Sequence, residues 1–302
     1  MRITQNMLSA NMLKNLTNSY ENMGKYQDQL ATGKRINRPS DDPVVAMKGI
    51  SYRNNLQEVE QFKRNFSEAY NWNENSDSSL DKATQALQRI RELTVQASND
   101  TYDASQRDGI KQEITQLKEQ LVQIANTKFG DKYLFNGTDT TEQPVDLTTT
   151  PPTVSTNNNP VKIELSKGVY IQVNADPSKV FTLDNSTTPP SGLFGDIDNL
   201  INKLSDPNST GDDINAELGK LDGHLQNVTD ARSELGARMN RIQLMENRVD
   251  EQEVIANKVM SDNEDADIEK VITNLKAEES VQRAALSVGA RIIQPSLMDF
   301  LR

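Results

Sequence analysis

Only a few residues of this sequence have the types and spacing that chemistry requires. The densest group is the acidic run at residues 262–267, which contains Asp262, Glu264, Asp265 and Asp267. Such carboxylates could bind Ca²⁺, but the run lacks the central Gly and the bidentate Glu of an EF-hand loop. Carboxylates also stabilise the positively polarised N-terminal end of a helix. The run therefore predicts the start of a C-terminal helix and no calcium site.

The other candidates for catalysis are isolated in the sequence. His224 is the only histidine and there is no cysteine, which excludes two-histidine metal sites, thiolate zinc sites and cysteine nucleophiles. Gly33 and Lys34 lack the Gly-x-x-x-x-Gly-Lys-Ser/Thr spacing of a phosphate-binding loop. We expect no catalytic residue, no cofactor and no metal ion, and we interpret His224 as a solvated or bundle-edge residue of a helix.

The composition favours a partner that is itself a protein. The 302 residues include 44 acidic and 33 basic side chains, a net charge of −11, whereas nonspecific binding to nucleic acid or anionic lipid needs an excess of Lys and Arg. No apolar stretch approaches the roughly 18 residues of a membrane-spanning helix, and residues 1–13 lack the apolar core of a signal peptide. We expect no nucleic acid partner, no membrane insertion and no cleaved signal peptide.

Long helices explain the spacing of most apolar residues. No proline lies between Val44 and Gln143 or between Asn208 and Gln294, and proline strongly interrupts helices. In the second tract apolar residues recur in alternating steps of four and three, interrupted at Arg232, which predicts a coiled-coil seam. The seam consists of Ile214, Leu218, Leu221, Leu225, Val228, Leu235, Met239 and Ile242, and after a phase adjustment Met245, Val249, Ala256 and Val259.

The first tract predicts two helices of the same design. One seam runs from Leu56 to Ile90 and includes the polar residue Asn73, and a second runs from Ile110 to Ile124. The residues between the seams, 99–103, have side chains that compete for backbone hydrogen bonds, and the last of them, an aspartate, can cap the second helix. We therefore expect a helical bundle.

The middle of the chain changes from helical to alternating patterning. Residues 161–165 and 169–173 alternate apolar and polar side chains on either side of a Ser-Lys-Gly turn at 166–168, which is typical of a β-hairpin. Residues 133–137 indicate a further strand that enters a tight turn. We predict a small β-rich domain at residues 141–206, inserted between two helical tracts.

The two ends of the chain carry apolar stripes of their own. Residues 1–38 have a net charge of +4 and residues 262–302 a net charge of −3, so we expect the ends to pair as helices. Glu278 and Gln282 interrupt the C-terminal stripe, and a thin two-helix coil is marginal alone in water. We therefore expect the pair to gain stability from neighbouring molecules. The predicted assembly seam comprises Ile3, Met7, Leu13, Leu16, Met23, Leu30, Val271, Leu275, Val288 and Ile292.

Motifs at both ends resemble a known family. Residues 30–37 (Leu-Ala-Thr-Gly-Lys-Arg-Ile-Asn) and 39–43 (Pro-Ser-Asp-Asp-Pro) are similar to the junction motif of the bacterial flagellin superfamily. The resemblance extends to about residue 137, and the C-terminal tract also resembles that superfamily. The Asp-Asp-Pro variant at 41–43, residues 133–138 and residues 294–301 are more similar to the hook-associated protein 3 family than to flagellin.

The resemblance implies a structural component of the bacterial flagellum and not an enzyme. It implies export through the flagellar type III channel and an extracellular position at the junction of hook and filament. The implied partners are hook-associated protein 1, flagellin, copies of the same chain and an export chaperone. A filament-forming flagellin is the alternative, because the two groups share the terminal motifs.

The motif at residues 30–43 also has a physical interpretation as a joint between two helices. Gly33 can adopt the left-handed backbone conformation that ends a helix. Ser40 or Asp41 can cap the next helix, Asp42 favours its positive end, and Pro43 suits its first turn. We expect Gly33, Asp41, Asp42 and Pro43 to hold a terminal arm at a fixed angle to the bundle.

Together these patterns predict a mainly α-helical protein. Its N- and C-terminal tracts form a long coiled-coil-like helical bundle with a small inserted β-rich domain. We expect three parts: paired terminal arms at 1–42 and 262–302, a helical rod bundle at 43–140 and 207–261, and the insert at 141–206.

Overall fold

The structure is a computed structural model that describes residues 5–99, 102–149 and 152–293. Helices dominate it, as the sequence predicts. Within those residues the helices are α1 (Gln5–Thr32), α2 (Pro43–Ala97), α3 (Ala104–Ala125), α4 (Pro177–Val180), α5 (Gly192–Ser205), α6 (Gly211–Glu264) and α7 (Ile268–Ile293). The strands are β1 (Lys128–Phe129), β2 (Lys132–Tyr133), β3 (Val145–Asp146), β4 (Thr153–Val154), β5 (Lys162–Ser166) and β6 (Val169–Gln172), which pair antiparallel as β1–β2, β3–β4 and β5–β6.

The predicted seam of α6 is buried at a strict interval of seven residues. A heptad repeat keeps equivalent side chains on one face of the helix, so a neighbouring helix can cover the whole series. Val259, the last residue of the predicted seam, is exposed. The buried series is Ile214, Leu221, Val228, Leu235, Ile242, Val249 and Ala256.

The chain divides into two compact units whose boundaries fall inside α2 and α6. The core unit runs from Val59 to Asp250, and the arm unit takes in the described residues up to Glu58 and from Glu251 onward. Neither boundary between the units coincides with the end of a helix, because α2 and α6 continue through both positions. The division into terminal arms, helical rod bundle and insert stays a prediction.

The core unit is held by a continuous apolar cluster. Buried stripes of its helices contribute Phe66, Leu80, Leu121 and Ile242, while the inserted region contributes Phe181 and further apolar residues. The rings of Phe135 and Phe181 meet edge to face with their centroids 5.2 Å apart, a favourable aromatic geometry. The insert therefore shares its core with the helices.

The insert contains the predicted hairpin and also the helix α5, which the prediction missed. β5 and β6 pair on either side of a turn in which Gly168 has a φ of 74°. β2 ends at Tyr133, earlier than expected, because Leu134 and Phe135 turn into the core. In addition to the strands of the predicted β-rich insert, α5 buries Leu193, Ile197, Leu200 and Leu204 at helical spacing.

Candidate functional site: the joint and the paired terminal helices

The joint begins where α1 ends at a left-handed glycine. Gly33 has a φ of +68°, a conformation that costs a residue with a side chain roughly 1–2 kcal/mol. Its N–H donates to the Gln29 carbonyl at 2.9 Å, which satisfies one of the last carbonyls of α1. A Cβ at this position would meet no atom within 4 Å, so the backbone conformation, and not crowding, requires glycine.

Two adjacent aspartates organise the start of α2. Asp42 is the capping residue, since its Oδ1 accepts hydrogen bonds from the backbone N–H groups of Val44 and Val45, both at 3.1 Å. Pro43 occupies the first position of the helix. Asp41 instead accepts from the N–H groups of Arg38 and Asn37, at 2.9 and 3.1 Å, and these bonds lower the pKa of its carboxyl.

A short backbone bridge joins the α1–α2 turn to the α6–α7 turn. Lys34 and Asp265 form an isolated antiparallel β-bridge. The Arg35 N–H donates to the Glu264 carbonyl at 2.6 Å, and the Ala266 N–H donates to the Gly33 carbonyl at 2.9 Å. The two places where the chain passes between an arm helix and a longer helix are thus hydrogen-bonded to each other.

The carboxylate of Glu264 lies buried at the centre of this joint. Arg53 Nη2 lies 2.7 Å from its Oε2, and Lys34 Nζ lies 3.7 Å from the same oxygen. Burial of a carboxylate is costly unless cations and hydrogen bonds compensate, and these two cations do so. A Cβ at Gly49 would come within 2.7 Å of Glu264 Oε1, so the helix can approach this carboxylate only where it has glycine.

Two further acidic residues of the 262–267 run, Asp265 and Asp267, serve the joint and the following helix. Lys34 Nζ lies 2.6 Å from Asp265 Oδ1, and this contact, with a hydrogen bond from Ser261, lowers the pKa of the Asp265 carboxyl. Asp267 Oδ1 accepts from the Lys270 N–H at 3.1 Å in the first turn of α7. The end of the run therefore marks the start of α7, as its sequence predicted, whereas residues 262–264 belong to the last turn of α6.

The terminal helices α1 and α7 pack side by side with a seam that is partly polar. Ser19 Oγ and Asn22 Nδ2 donate to the two carboxylate oxygens of Glu278, at 2.8 and 3.2 Å. Farther along, a Cβ on Gly289 would lie 1.6 Å from Met12 Cε, so Met12 fills the space that this glycine leaves open. Glu278, one of the two polar residues that interrupt the C-terminal stripe, therefore accepts hydrogen bonds from α1.

The residues of the predicted assembly seam do not share one environment. The structure places Leu16, Met23, Leu30 and Leu275 in half-buried positions and buries Val271. Met7, Leu13 and Val288 are instead 57%, 61% and 54% exposed. Ile3 lies outside the described residues, as does the side chain of Ile292.

Opposite charges join the two ends at the joint, where Lys34 pairs with Asp265, and not along the helices α1 and α7. Among the described residues the structure contains no ion pair between α1 and α7, although residues 1–38 are basic and residues 262–302 acidic. Hydrogen bonds and apolar contacts hold the pair instead.

The sequence reasoning missed a further group of exposed apolar side chains in the arm unit. They lie at the start of α2 and the end of α6, off the coiled-coil seam that buries Val45 and Ala256. The sequence signal that could have identified them is the presence of large apolar residues outside the predicted seam. These side chains are Val44, Met47, Ile50, Val254 and Ile255.

His224 lies in the core unit. It is mostly buried at the contact between α5 and α6, where its Nε2 lies 2.8 Å from Asp196 Oδ2. Lys220 Nζ lies 3.2 Å from the other oxygen of that carboxylate. The histidine thus helps to hold α5 against α6.

None of the described helices is both long and apolar enough to cross a lipid bilayer.

Comparison with known proteins places these helices in a family. The model of the bacterial flagellin N-terminal helical region matches residues 3–140, and that of the C-terminal helical region matches residues 218–301. Flagellin of Clostridium tyrobutyricum is 31% identical over 138 residues, which cover 45% of this chain and 37% of that protein. Flagellar hook-associated protein 3 of Escherichia coli is 32% identical over 145 residues, which cover 48% of this chain and 46% of that protein. The chain thus spans less than half the length of these two curated relatives.

A solved structure has the same fold. The flagellar hook-associated protein 3 of Legionella pneumophila superposes with a TM-score of 0.61 at 17% identity, covering 70% of this chain and 97% of that one. The two family models together account for well over half of the chain, at both of its ends. The chain therefore belongs to the bacterial flagellin superfamily.

Proposed function

We propose that this protein is a structural component of the junction between the hook and the filament of the bacterial flagellum. In this role it sits outside the cell, contacts hook-associated protein 1, flagellin and copies of itself, and catalyses no reaction. An export chaperone accompanies it before export through the flagellar type III channel. Filament assembly and motility then depend on it.

One observation carries the proposal: the arm unit exposes large apolar side chains on its helices while part of its internal seam is polar. Met7 and Leu13 on α1, and Val288 on α7, are each more than half exposed. Exposed apolar residues in a group mark surfaces that another protein covers. A subunit whose paired ends are completed by neighbours suits a tubular assembly, in which head-to-tail contacts that do not close build a helix.

Similarity to hook-associated protein 3 of Escherichia coli supports the junction role, and similarity to a clostridial flagellin at almost the same identity supports the alternative. A filament-forming flagellin therefore remains the second candidate. Its distinguishing property is self-polymerisation, because a flagellin extends a seed into a long tube.

Deletion of the gene tests the junction role directly. Under the proposal, cells retain hooks, release flagellin into the medium and form no filaments. Filaments of normal length in the deleted strain would refute it. Purified chain added to filament fragments separates the two candidates, since elongation into long tubes supports a flagellin and its absence supports the junction.

A pair of matched substitutions tests whether the exposed arm residues make the contacts. Leu13→Ser removes an exposed apolar side chain from α1, and Leu244→Ser removes one that is 71% exposed in the core unit. Both changes leave the folded chain intact, because neither side chain is packed within it. We expect the Leu13 variant to fail to restore filaments in the deleted strain and the Leu244 variant to restore them. Equal restoration by both would contradict the role of the arms.

A further inference from the structure

One polar residue of the core unit lies in the coiled-coil seam without complete hydrogen bonding. Asn73 of α2 is fully buried, and its Nδ2 donates to the Ala69 carbonyl at 2.8 Å. Its Oδ1 is buried and has no hydrogen-bond partner. A buried acceptor without a donor destabilises a protein, so an internal packing role alone does not account for asparagine here.

The same side chain lines a cavity between α2 and α6. The cavity has a volume of about 280 Å³, far more than the roughly 30 Å³ that one water occupies in the liquid. Its walls combine aliphatic surface with acidic groups and open to solvent at exposed residues. They are formed by Asn73, Glu74, Asp77, Ser78, Leu235, Gly236 and Met239.

The charges of the wall favour a cation. Arg232 already pairs with Asp77, with Nε and Oδ1 2.9 Å apart. Glu74 is exposed, and in the described part of the chain no cation pairs with its carboxylate. Leu235 and Met239 offer an apolar surface for the stem of a long side chain. A group that combines an apolar stem with a charged donor would meet every feature of this cavity.

We propose that the cavity receives a lysine or arginine side chain from a second copy of this chain, packed beside the first in the assembly. The stem lies against Leu235 and Met239, and the cationic head donates to Asn73 Oδ1 and pairs with Glu74. The amide of Asn73 can turn its oxygen toward the cavity about χ2, a torsion with a broad energy minimum. The choice of a second copy rests on the proposed function, whereas the chemistry of the cavity does not.

The cavity chemistry is tested on the purified full chain with a small probe. Propylguanidinium supplies a cationic donor on an apolar stem, and propylurea is its neutral counterpart. With asparagine labelled by ¹⁵N, we expect the side-chain amide signal of Asn73 to shift with propylguanidinium, and binding to be about tenfold or more tighter than that of propylurea. Equal binding of the two probes would overturn the cationic assignment.

Substitutions localise the binding. Asn73→Leu fills the seam with an apolar side chain, and binding, followed by calorimetry, should be lost while the chain stays folded. Asn71→Leu is the matched control, because Asn71 is exposed on the same helix, and it should leave binding unchanged. Glu74→Gln should weaken propylguanidinium and not propylurea. Unchanged binding in the Asn73 variant would refute the site.

Crosslinking identifies the partner, since the chain has no cysteine of its own. Ser78→Cys places a photoreactive maleimide at the mouth of the cavity, and Gly219→Cys places one at an exposed, uncrowded control position of α6. In isolated flagella, the Ser78 variant should yield an adduct of twice the chain mass and the Gly219 variant should not. An adduct with a different protein, or no adduct, would overturn the second copy as occupant. The deletion experiment judges the junction role separately.

Discussion

The two units of this protein differ in how they bury apolar side chains. In the described residues, every member of the large buried cluster lies between Val59 and Val249, inside the core unit. The arm unit buries only Val45, Ala256 and Val271 among its described apolar residues, while Met7, Met47 and many others are exposed. Apolar burial supplies most of the free energy of folding. The core unit therefore has an interior of its own, whereas many large apolar side chains of the arm unit are exposed.

The test with the largest expected effect compares one leucine-to-alanine substitution in each unit. Leu80→Ala removes a fully buried side chain from the core unit and should lower its free energy of unfolding by about 2–5 kcal/mol. Leu275→Ala removes a half-buried side chain from the arm pair and should cost about 1 kcal/mol or less in the monomer. Fluorescence of Trp72, the only tryptophan, reports the core unit during urea unfolding. An equal shift of that transition in both variants would contradict the expectation that the two units unfold independently.

A second test compares two glycines of the paired arms. Gly289→Leu forces a side chain into the space that Met12 fills and should destabilise the α1–α7 pair by about 1–3 kcal/mol. Gly24→Leu enters open space on α1 and should stabilise the helix by up to about 1 kcal/mol. Amide hydrogen exchange in α1 and α7 measures both effects. Loss of protection in both variants would show that the seam is not the one described.

A third test concerns the cap of α2. Asp42→Ala removes the acceptor for the Val44 and Val45 N–H groups and should cost about 1 kcal/mol, whereas Ser40→Ala should change stability by less than about 0.5 kcal/mol. Exchange rates of the first-turn amides of α2 provide the measurement. A larger effect of the Ser40 substitution would show that Ser40, and not Asp42, is the capping residue.

The smallest effect is expected from acid titration of the joint. The pKa of Asp265 is lowered in the folded chain, chiefly by Lys34, so its contribution to stability is present above the unfolded value of about 3.9 and is lost as pH falls through the lower folded value. Thermal unfolding followed by circular dichroism should show that Asp265→Asn is less stable than wild type at pH 5. That difference should shrink toward pH 2.5. A constant difference, or the same behaviour in the exposed-residue control Asp262→Asn, would exclude the ionic contact.

Local sequence patterns predicted the features that depend on neighbouring residues. The seven-residue spacing of Ile214 to Ala256 determines which face of α6 is apolar, whatever covers it. Asp103 caps α3 in a capping box with Gln106, a contact between residues three positions apart. The prediction missed α5 although Leu193, Ile197, Leu200 and Leu204 recur at helical spacing, because the prolines and threonines on either side of this segment favoured a β-rich assignment.

Contacts between distant positions were beyond any such pattern. The acidic run that contains Glu264 indicates a helix start, but nothing local shows that Arg53, more than two hundred positions earlier, compensates its buried charge. The opposite net charges of the two ends suggested pairing, and the ends do pair: Lys34 and Asp265 form an ion pair at the joint, and Ser19 donates a hydrogen bond to Glu278 between α1 and α7.

By itself, the sequence determined that this protein is made of long helices with apolar seams, joined at Gly33 and residues 40–43, because periodicity and capping act over a few residues. It assigned the cap of α2 to Ser40 or Asp41, whereas the structure shows that Asp42 is the capping residue. The tertiary structure decided which of those apolar residues are covered. Leu16 and Leu13 belong to the same stripe, yet Leu16 is half-buried and Leu13 is exposed. The physical reason is that burial depends on where the partner helix lies, and that position follows from contacts made across the whole length of the chain.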